Sequence, residues 1–315
     1  MQGMERAGRI FRLAEFCYDV RTTPDCYSES DKKLVKASAL QYLMGKEQWP
    51  LDRFRPERDQ VKFGDYPRII EALNFEVAQC NGNKAAAEAV YKRFSRAIAE
   101  SVRRDTGGAM DIAPSNDVPH ENQVRIALKF MEIIGKHAGM TRLLADNLPA
   151  TLHYADLGVN AWGECVAYQF GPKNGIHLSK KMFSNLETAA AGTRKFIEEG
   201  WWVDVSAGEE WRCTVVHETG HAIHNALIYI ECNKNEYKYV QNRRKILAKY
   251  AREIRRLSKQ YAPGQTVGAI KKMMSRYGQS NDAEFFAEAF SNAMGGRPDI
   301  IGKGMQDFLR VRGLL

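Results

Sequence analysis

The chain of 315 residues is long enough for one large domain or two ordinary ones, and its 44% hydrophobic and 27% charged residues exclude a disordered protein. No run approaches the roughly 20 apolar residues that a membrane helix needs, so the sequence predicts no membrane span. The net charge of +8 comes from one segment of the chain. Residues 234–260 hold ten basic side chains against two acidic ones, and the rest of the chain balances to zero.

The N-terminus carries charges where a signal peptide would be apolar. Four charged residues interrupt it, namely Glu5, Arg6, Arg9 and Arg12. A signal-peptide core is therefore excluded, and we expect synthesis in a cytoplasm. Six cysteines without a C-x-x-C pair or a zinc-finger spacing indicate buried thiols rather than a cysteine metal site.

The first part of the chain is predicted to be helical. Apolar residues at helical spacing predict helices at residues 31–44, 66–79 and 83–104. The run TGGAMDIAPSNDVP at 106–119 combines glycines and prolines and is the best linker candidate. We therefore expect a helical N-terminal region over residues 1–112 and a second domain over residues 113–315.

The second domain mixes helices with a few short strands. Its predicted elements are a helix at 122–136, strands at 150–156, 165–170 and 175–179, a helix at 185–199 and further helices to the end. Asn174-Gly175 predicts a hairpin between the last two strands. The expected fold is α+β and mainly helical, with a small sheet over the helix that carries the motif described next.

The most informative string is the H-E-x-x-H motif formed by His217, Glu218 and His221. Residues four apart lie on one face of a helix, so both imidazoles can bind one metal ion. The glutamate between them can reach the remaining coordination position and activate an attacking water. Gly220 costs roughly 1 kcal/mol in a helix interior, which suggests that another backbone passes close by.

The motif helix itself does not supply an obvious third ligand. One zincin pattern requires glycine and histidine where this chain has His224 and Leu227, so that pattern is excluded. His224 lies on nearly the same face as His217 but two turns away, about 10 Å along the axis, and cannot join the same tetrahedral site. It has either a packing role or a supporting contact at the wall of the metal site.

A later helix offers a glutamate instead. Asn281 can cap a helix in which Glu284 and Glu288 share a face, while Phe285, Phe286 and Phe290 anchor the rest. Two inward carboxylates beside three phenylalanines are costly unless they bind a cation or a histidine N–H. Glu284 on this helix is therefore a candidate third ligand. The competing acids are Glu231, Glu236 and Glu253, the last two of which lie among lysines and arginines.

The two strings HETGH at 217–221 and SRYGQSNDAEFFAEAF at 275–290 resemble the catalytic domain of anthrax lethal factor and its relatives. This is a gluzincin branch of the zinc metallopeptidases, and its zincin-like domain also occurs in bacteriophage virion proteins. The resemblance implies zinc bound by His217, His221 and Glu284, with Glu218 as the base. It further implies that Tyr277 stabilises the transition state and, more weakly, that Glu288 orients a ligand histidine.

Residues 234–260 contain a strongly basic amphipathic helix. Its apolar seam is predicted to be Val240, Leu247, Tyr250, Ile254, Leu257 and Tyr261. The basic side either is a solvated face or binds an acidic partner, a nucleic acid or a neighbouring virion subunit.

Two classes of function remain open on the sequence. The first is a zinc-dependent endopeptidase acting on a protein or peptide substrate. The second is a phage virion structural or assembly protein in which zinc mainly supports folding, and such a protein would be carried in the virion. Glu218 and Tyr277 favour the first, because a structural zinc site needs neither a base nor an open position.

Overall fold

The computed structural model describes residues 66–106, 109–147, 151–158, 161–167, 174–204, 209–295 and 298–315. The helix predicted at residues 31–44 lies outside them. Within the described part, residues 67–94 belong to one compact unit, and Tyr66 together with residues from Ser95 onwards belongs to a second.

Two helices open the described part of the chain. They are α1 (Tyr66–Gln79) and α2 (Lys84–Asp105), which agree with the helices predicted at 66–79 and 83–104. The division between the two units falls inside α2, after Phe94. Inside the first unit, an ion pair between Arg93 and Glu76 joins the N-terminal half of α2 to α1.

A small mixed sheet lies in the second unit. Its strands are β1 (Asp111–Ile112), β2 (Thr151–Ala155), β3 (Gly163–Val166) and β4 (Gly175–Ser179), in the order β1-β2-β4-β3. β2 pairs in parallel with β1 and β4, whereas β3 pairs antiparallel with β4. The predicted hairpin is confirmed, although β3 begins two residues before Cys165. The short edge strand β1 occupies part of the stretch predicted as a linker.

Gly175 allows β4 to pair closely with β2. Its φ of +141° is unfavourable for other residues, and a Cβ built there would lie 2.0 Å from the carbonyl oxygen of Thr151. The glycine of the predicted turn is therefore also a packing requirement of the sheet.

Helices make up the rest of the second unit. They are α3 (His120–Gly135), α4 (Ala138–Asn147), α5 (Lys180–Phe183), α6 (Leu186–Glu198), α7 (Arg212–Glu231), α8 (Glu236–Ser258), α9 (Val267–Lys272), α10 (Asp282–Met294) and α11 (Ile300–Val311). The expected α+β, mainly helical fold is confirmed. No helix in the described ranges has both the length and the apolar character needed to cross a membrane.

The motif helix α7 is the centre of the second unit. It packs against α3, α4 and α10 and against strands β3 and β4, and most of its residues are buried. A Cβ on Gly220 would lie 3.0 Å from the Cα of Ala287 and 3.1 Å from the Cβ of Phe290. Gly220 thus lets α10 approach α7 closely, as the sequence suggested, and this contact brings the two sequence motifs together.

The basic helix α8 is anchored by a narrower seam than predicted. Leu247, Tyr250 and Ile254 are buried, as expected. Val240 is instead 53% exposed, because the helix turns a different residue, Tyr239, towards α7 at its N-terminal end. Tyr261 is 40% exposed and lies beyond the end of α8 at Ser258. Their assignment to the seam was wrong.

Candidate functional site

Helices α7 and α10 bring two histidines and a glutamate together. The Nε2 atom of His217 lies 3.0 Å from the Nε2 of His221 and 3.0 Å from the Oε2 of Glu284. The Nε2 of His221 is 3.2 Å from the same Oε2. Asn281 caps α10 by accepting hydrogen bonds from the N–H groups of Ala283 and Glu284, which fixes the start of this helix. The three side chains form a group that could hold a metal ion.

The other nitrogen of each histidine has its own partner. The Nδ1 of His217 is 2.8 Å from the Oε1 of Glu288, and the Nδ1 of His221 is 2.9 Å from the Nε2 of His224. A proton held on each Nδ1 by these contacts leaves each Nε2 free to bind a metal ion. Glu288 and His224 therefore lie where they can orient the two histidines. His224 also packs edge-on against Phe286.

Glu288 is a buried carboxylate with three hydrogen-bond partners. It is 2% exposed. Its Oε2 accepts hydrogen bonds from the backbone N–H of Val203 and from the hydroxyl of Ser275, both at 2.8 Å, while its Oε1 faces His217. These contacts satisfy the charge that burial would otherwise make costly, and they connect α10 to two loops beside the cluster.

We expect Glu288→Ala to lower the free energy of unfolding of the metal-free protein by about 3–5 kcal/mol, because it leaves a buried imidazole, an N–H and a hydroxyl unpaired. Urea unfolding followed by tryptophan fluorescence measures this. Glu187→Ala, at an exposed position on α6, is the matched control and should change stability by less than about 0.5 kcal/mol. Equal, small effects of both substitutions would contradict the role given to Glu288.

Two aromatic side chains flank His217. The ring of Trp202 lies parallel to the imidazole, with centroids 6.0 Å apart and an interplanar angle of 4°. Tyr277 lies 5.5 Å from the imidazole on a tilted plane. Backbone hydrogen bonds from Arg276 to Gly200 and from Tyr277 to Trp201 hold this segment in place. Trp202 was not predicted from the sequence, since nothing in its local pattern distinguishes it.

A cleft of 320 Å³ opens beside the cluster. Its lining includes Glu218, His221, Tyr277 and Glu284, and it also includes the residues Gly163, Glu164 and Cys165 of the sheet-edge strand β3. The cleft therefore combines two of the three clustered donors, the motif glutamate and a strand of the sheet in one space.

Glu218 lies between the cluster and β3. It is 6% exposed, and its Oε2 has no hydrogen-bond partner among the described residues. A Cβ on Gly163 would lie 2.7 Å from the Cγ of Glu218 and 2.9 Å from its Oε1. Only glycine allows the strand to pass this close to the carboxylate. Gly163 could not be predicted from the sequence, because a single glycine in a short strand carries no specific signal.

The surroundings of Glu218 and Glu284 shift the pKa values of these two carboxylates in opposite directions. Burial raises the pKa of Glu218, more than the nearby His221 and His217 lower it. Burial also acts against ionisation of Glu284, but hydrogen bonds with His217 and His221 outweigh it and hold its pKa well below its usual range.

The pKa values of His217 and His224 also depend on burial and on nearby charges. Burial opposes charging of His217, yet hydrogen bonds with Glu284 and Glu288 raise its pKa to about 10. Burial and the charge of His221 lower the pKa of His224 well below its ordinary value, more than the charge of Glu284 raises it. A neutral His224 can therefore accept a hydrogen bond from His221.

The other acids that competed for the metal lie elsewhere. Glu231 forms an ion pair with Lys249, and Glu253 forms one with Arg312. Glu236 lies in the first turn of α8. Among the described residues, the metal-binding group consists of His217, His221 and Glu284.

Comparison with known proteins adds no further identification. No family model matches the chain, and neither the curated proteins nor the solved structures contain a match.

Proposed function

We propose that the chain is a zinc-dependent endopeptidase of the gluzincin type, in which His217, His221 and Glu284 hold the zinc ion and Glu218 is the base. One observation carries this proposal. Three donor atoms lie within 3.0–3.2 Å of one another, and the cleft beside them contains the buried carboxylate of Glu218, one oxygen of which has no hydrogen-bond partner among the described residues.

The donor set fits zinc in chemistry and spacing. Two imidazoles and one carboxylate, with a further position left open, are a common catalytic zinc set. Bonds of about 2.0–2.1 Å in a tetrahedron place neighbouring ligand atoms about 3.3–3.4 Å apart. The observed separations of 3.0–3.2 Å need only a small expansion to reach that value.

The proposed reaction is hydrolysis of a peptide bond. A zinc ion, when bound, supplies Lewis acidity towards the substrate carbonyl and makes water more acidic. Glu218 accepts the proton of the attacking water and returns it to the departing amine. The hydroxyl of Tyr277 donates a hydrogen bond to the negative charge that develops on the carbonyl oxygen. Glu288 and His224 keep the two histidines oriented through their Nδ1 atoms.

The edge strand β3 offers a way to bind an extended peptide. It is the last strand of the sheet, with β4 on one side, and three of its residues line the cleft. Within the part of the chain that the structure describes, no strand pairs with its other side. A substrate strand could add there by backbone hydrogen bonds, which hold a peptide without requiring a particular sequence. Its scissile bond would then pass beside Glu218 where Gly163 leaves room.

A structural role for the metal is the second candidate. In such a protein the ion would stabilise the fold and no peptide would be cleaved. The arrangement favours an enzyme, because structural zinc sites are closed by four protein ligands. Here two of the three proposed ligands, His221 and Glu284, line a cleft that also contains Glu218 and Tyr277.

Digestion of a broad peptide library separates these candidates. The zinc-loaded protein should cleave peptides, whereas the same protein stripped of metal by a chelator should not, and restoring zinc should restore cleavage. Mass spectrometry of the products measures this. Thermal stabilisation by zinc without any cleavage would contradict the endopeptidase and support the structural role.

A further inference from the structure

A second cavity adjoins the cleft. Its volume is 520 Å³, and both volumes fall within the range of about 300–1,000 Å³ that is typical of ligand pockets. The two cavities share the lining residues His224, Asn225, Tyr239, Arg243 and Ala283. A peptide that lies in the cleft can therefore place a neighbouring part in the second cavity.

Two guanidinium groups line this second cavity, those of Arg243 and Arg244 on α8. Helical positions three and four residues away from them carry no acid that could neutralise them. Neither arginine forms an ion pair with a carboxylate of the described residues. Asp282, the acid that lines the same cavity, instead lies 3.6 Å from the guanidinium of Arg255. The cavity thus has an excess of positive charge.

The rest of the lining is partly apolar, and hydrogen bonds connect it to the neighbouring elements. Ile228 and Leu247 provide apolar surface beside the arginines. Tyr239 donates a hydrogen bond of 2.6 Å to Asn225, whose amide group in turn contacts the sulfur of Cys165 on β3. These contacts connect α8, the helix that carries both arginines, through α7 to the strand edge beside which the proposed substrate would lie.

We propose that Arg243 and Arg244 form a subsite that binds a carboxylate of the substrate close to the scissile bond. This inference rests on the proposed peptidase function and names its substrate class. A guanidinium recognises a carboxylate through paired charge-assisted hydrogen bonds, and the aliphatic surface beside it suits the methylene groups of Asp or Glu. The carboxylate comes either from an acidic side chain or from the C-terminus of the peptide.

The first test measures cleavage with two peptide libraries, one with amidated C-termini and one with free C-termini. We expect the zinc-loaded wild-type protein to enrich Asp and Glu about tenfold at one position near the cleaved bond. Enrichment in both libraries assigns the side chain as the source, and enrichment of free-ended peptides alone assigns the terminal carboxylate. Arg243→Gln should reduce this preference, and Arg243→Glu should favour Lys or Arg at the same position.

Arg256→Gln is the matched control for these variants. Arg256 is exposed on the same helix and lines neither cavity, so its replacement removes the same charge from α8. We expect it to leave both the cleavage rate and the preference unchanged. An equal loss of preference in Arg256→Gln and Arg243→Gln would overturn the subsite and indicate a general effect of the basic helix.

The second test measures binding without turnover. Fluorescence anisotropy of the Glu218→Gln protein should show about tenfold tighter binding of a peptide with Glu than of the same peptide with Gln. Adding Arg243→Gln should remove that difference. Hydrolysis by the wild-type protein with equal binding of both peptides would overturn the subsite alone. Preferential binding that depends on Arg243, without any hydrolysis, would overturn the peptidase proposal and leave the carboxylate subsite in place.

Discussion

Replacing Glu218 by Gln is expected to lower the rate of peptide hydrolysis by about 10²–10⁴-fold, the range that a general base contributes. Glutamine keeps the shape of the side chain but cannot accept and return the proton of the attacking water. The metal content should not change, because Glu218 is not one of the three clustered donors. Steady-state cleavage of a library-derived peptide, together with metal analysis of the same sample, measures both quantities.

The matched control for this substitution is Glu187→Gln. Glu187 is exposed in the first turn of α6 and lies outside the cleft, so this variant makes the same chemical change elsewhere. Its activity should equal that of the wild-type protein. Full activity in Glu218→Gln would show that another group acts as the base and would refute the assignment.

The second large effect is expected for Glu284→Ala, which removes the only carboxylate of the clustered donors. Changes to residues that merely orient metal ligands already cost about 10–100-fold in metal affinity, so loss of a direct ligand should cost more than about 100-fold. Zinc titration against a competing chelator measures the affinity. Hydrolysis should disappear at zinc concentrations that saturate the wild-type protein.

Asp282→Asn provides the control on the same helix. Asp282 lies two residues before Glu284, and its partner is Arg255 rather than a histidine of the cluster. It should bind zinc as tightly as the wild-type protein. Unchanged zinc affinity in Glu284→Ala would contradict the proposed ligand set and would leave the two histidines without their third partner.

The parts of the site that the sequence could predict are those set by local helical geometry. His217 and His221 are four residues apart, so any helix places them side by side. Asn281 before an apolar run predicted the start of α10, and the inward position of Glu284 and Glu288 followed from their spacing next to the phenylalanines. Helical spacing could not predict that Glu284 lies beside the histidines. That expectation came from the resemblance of the two strings at 217–221 and 275–290 to a known family.

The parts that could not be predicted depend on contacts between distant segments. Trp202 stacks on His217, and Gly163 leaves room for the side chain of Glu218. Each contact joins residues that lie well apart in the sequence. Neither residue has a local pattern that points to such a contact. The error at Val240 and Tyr261 has a related cause, since helical spacing does not show which side of a helix meets its neighbour or where the helix ends. Tyr239 rather than Val240 contacts α7, and α8 ends before Tyr261.

The proposed subsite at Arg243 and Arg244 shows a third limit of prediction from sequence. The excess of basic residues at 234–260 was evident from composition, but composition does not distinguish a solvated helix face from a binding surface. Arg243 and Arg244 line a cavity next to the cleft that contains Glu218, His221 and Glu284, and this position distinguishes them from the other arginines of the helix.

Peptide cleavage in water enriched in the heavy oxygen isotope tests the proposed hydrolytic metal centre most directly. The zinc-loaded wild-type protein should produce fragments whose new C-termini each carry one heavy oxygen atom, and Glu218→Gln should produce far fewer under the same conditions. Fragments without heavy oxygen, equal yields from both proteins, or no fragments from the zinc-loaded wild type would contradict a hydrolytic centre built on His217, His221, Glu284 and Glu218.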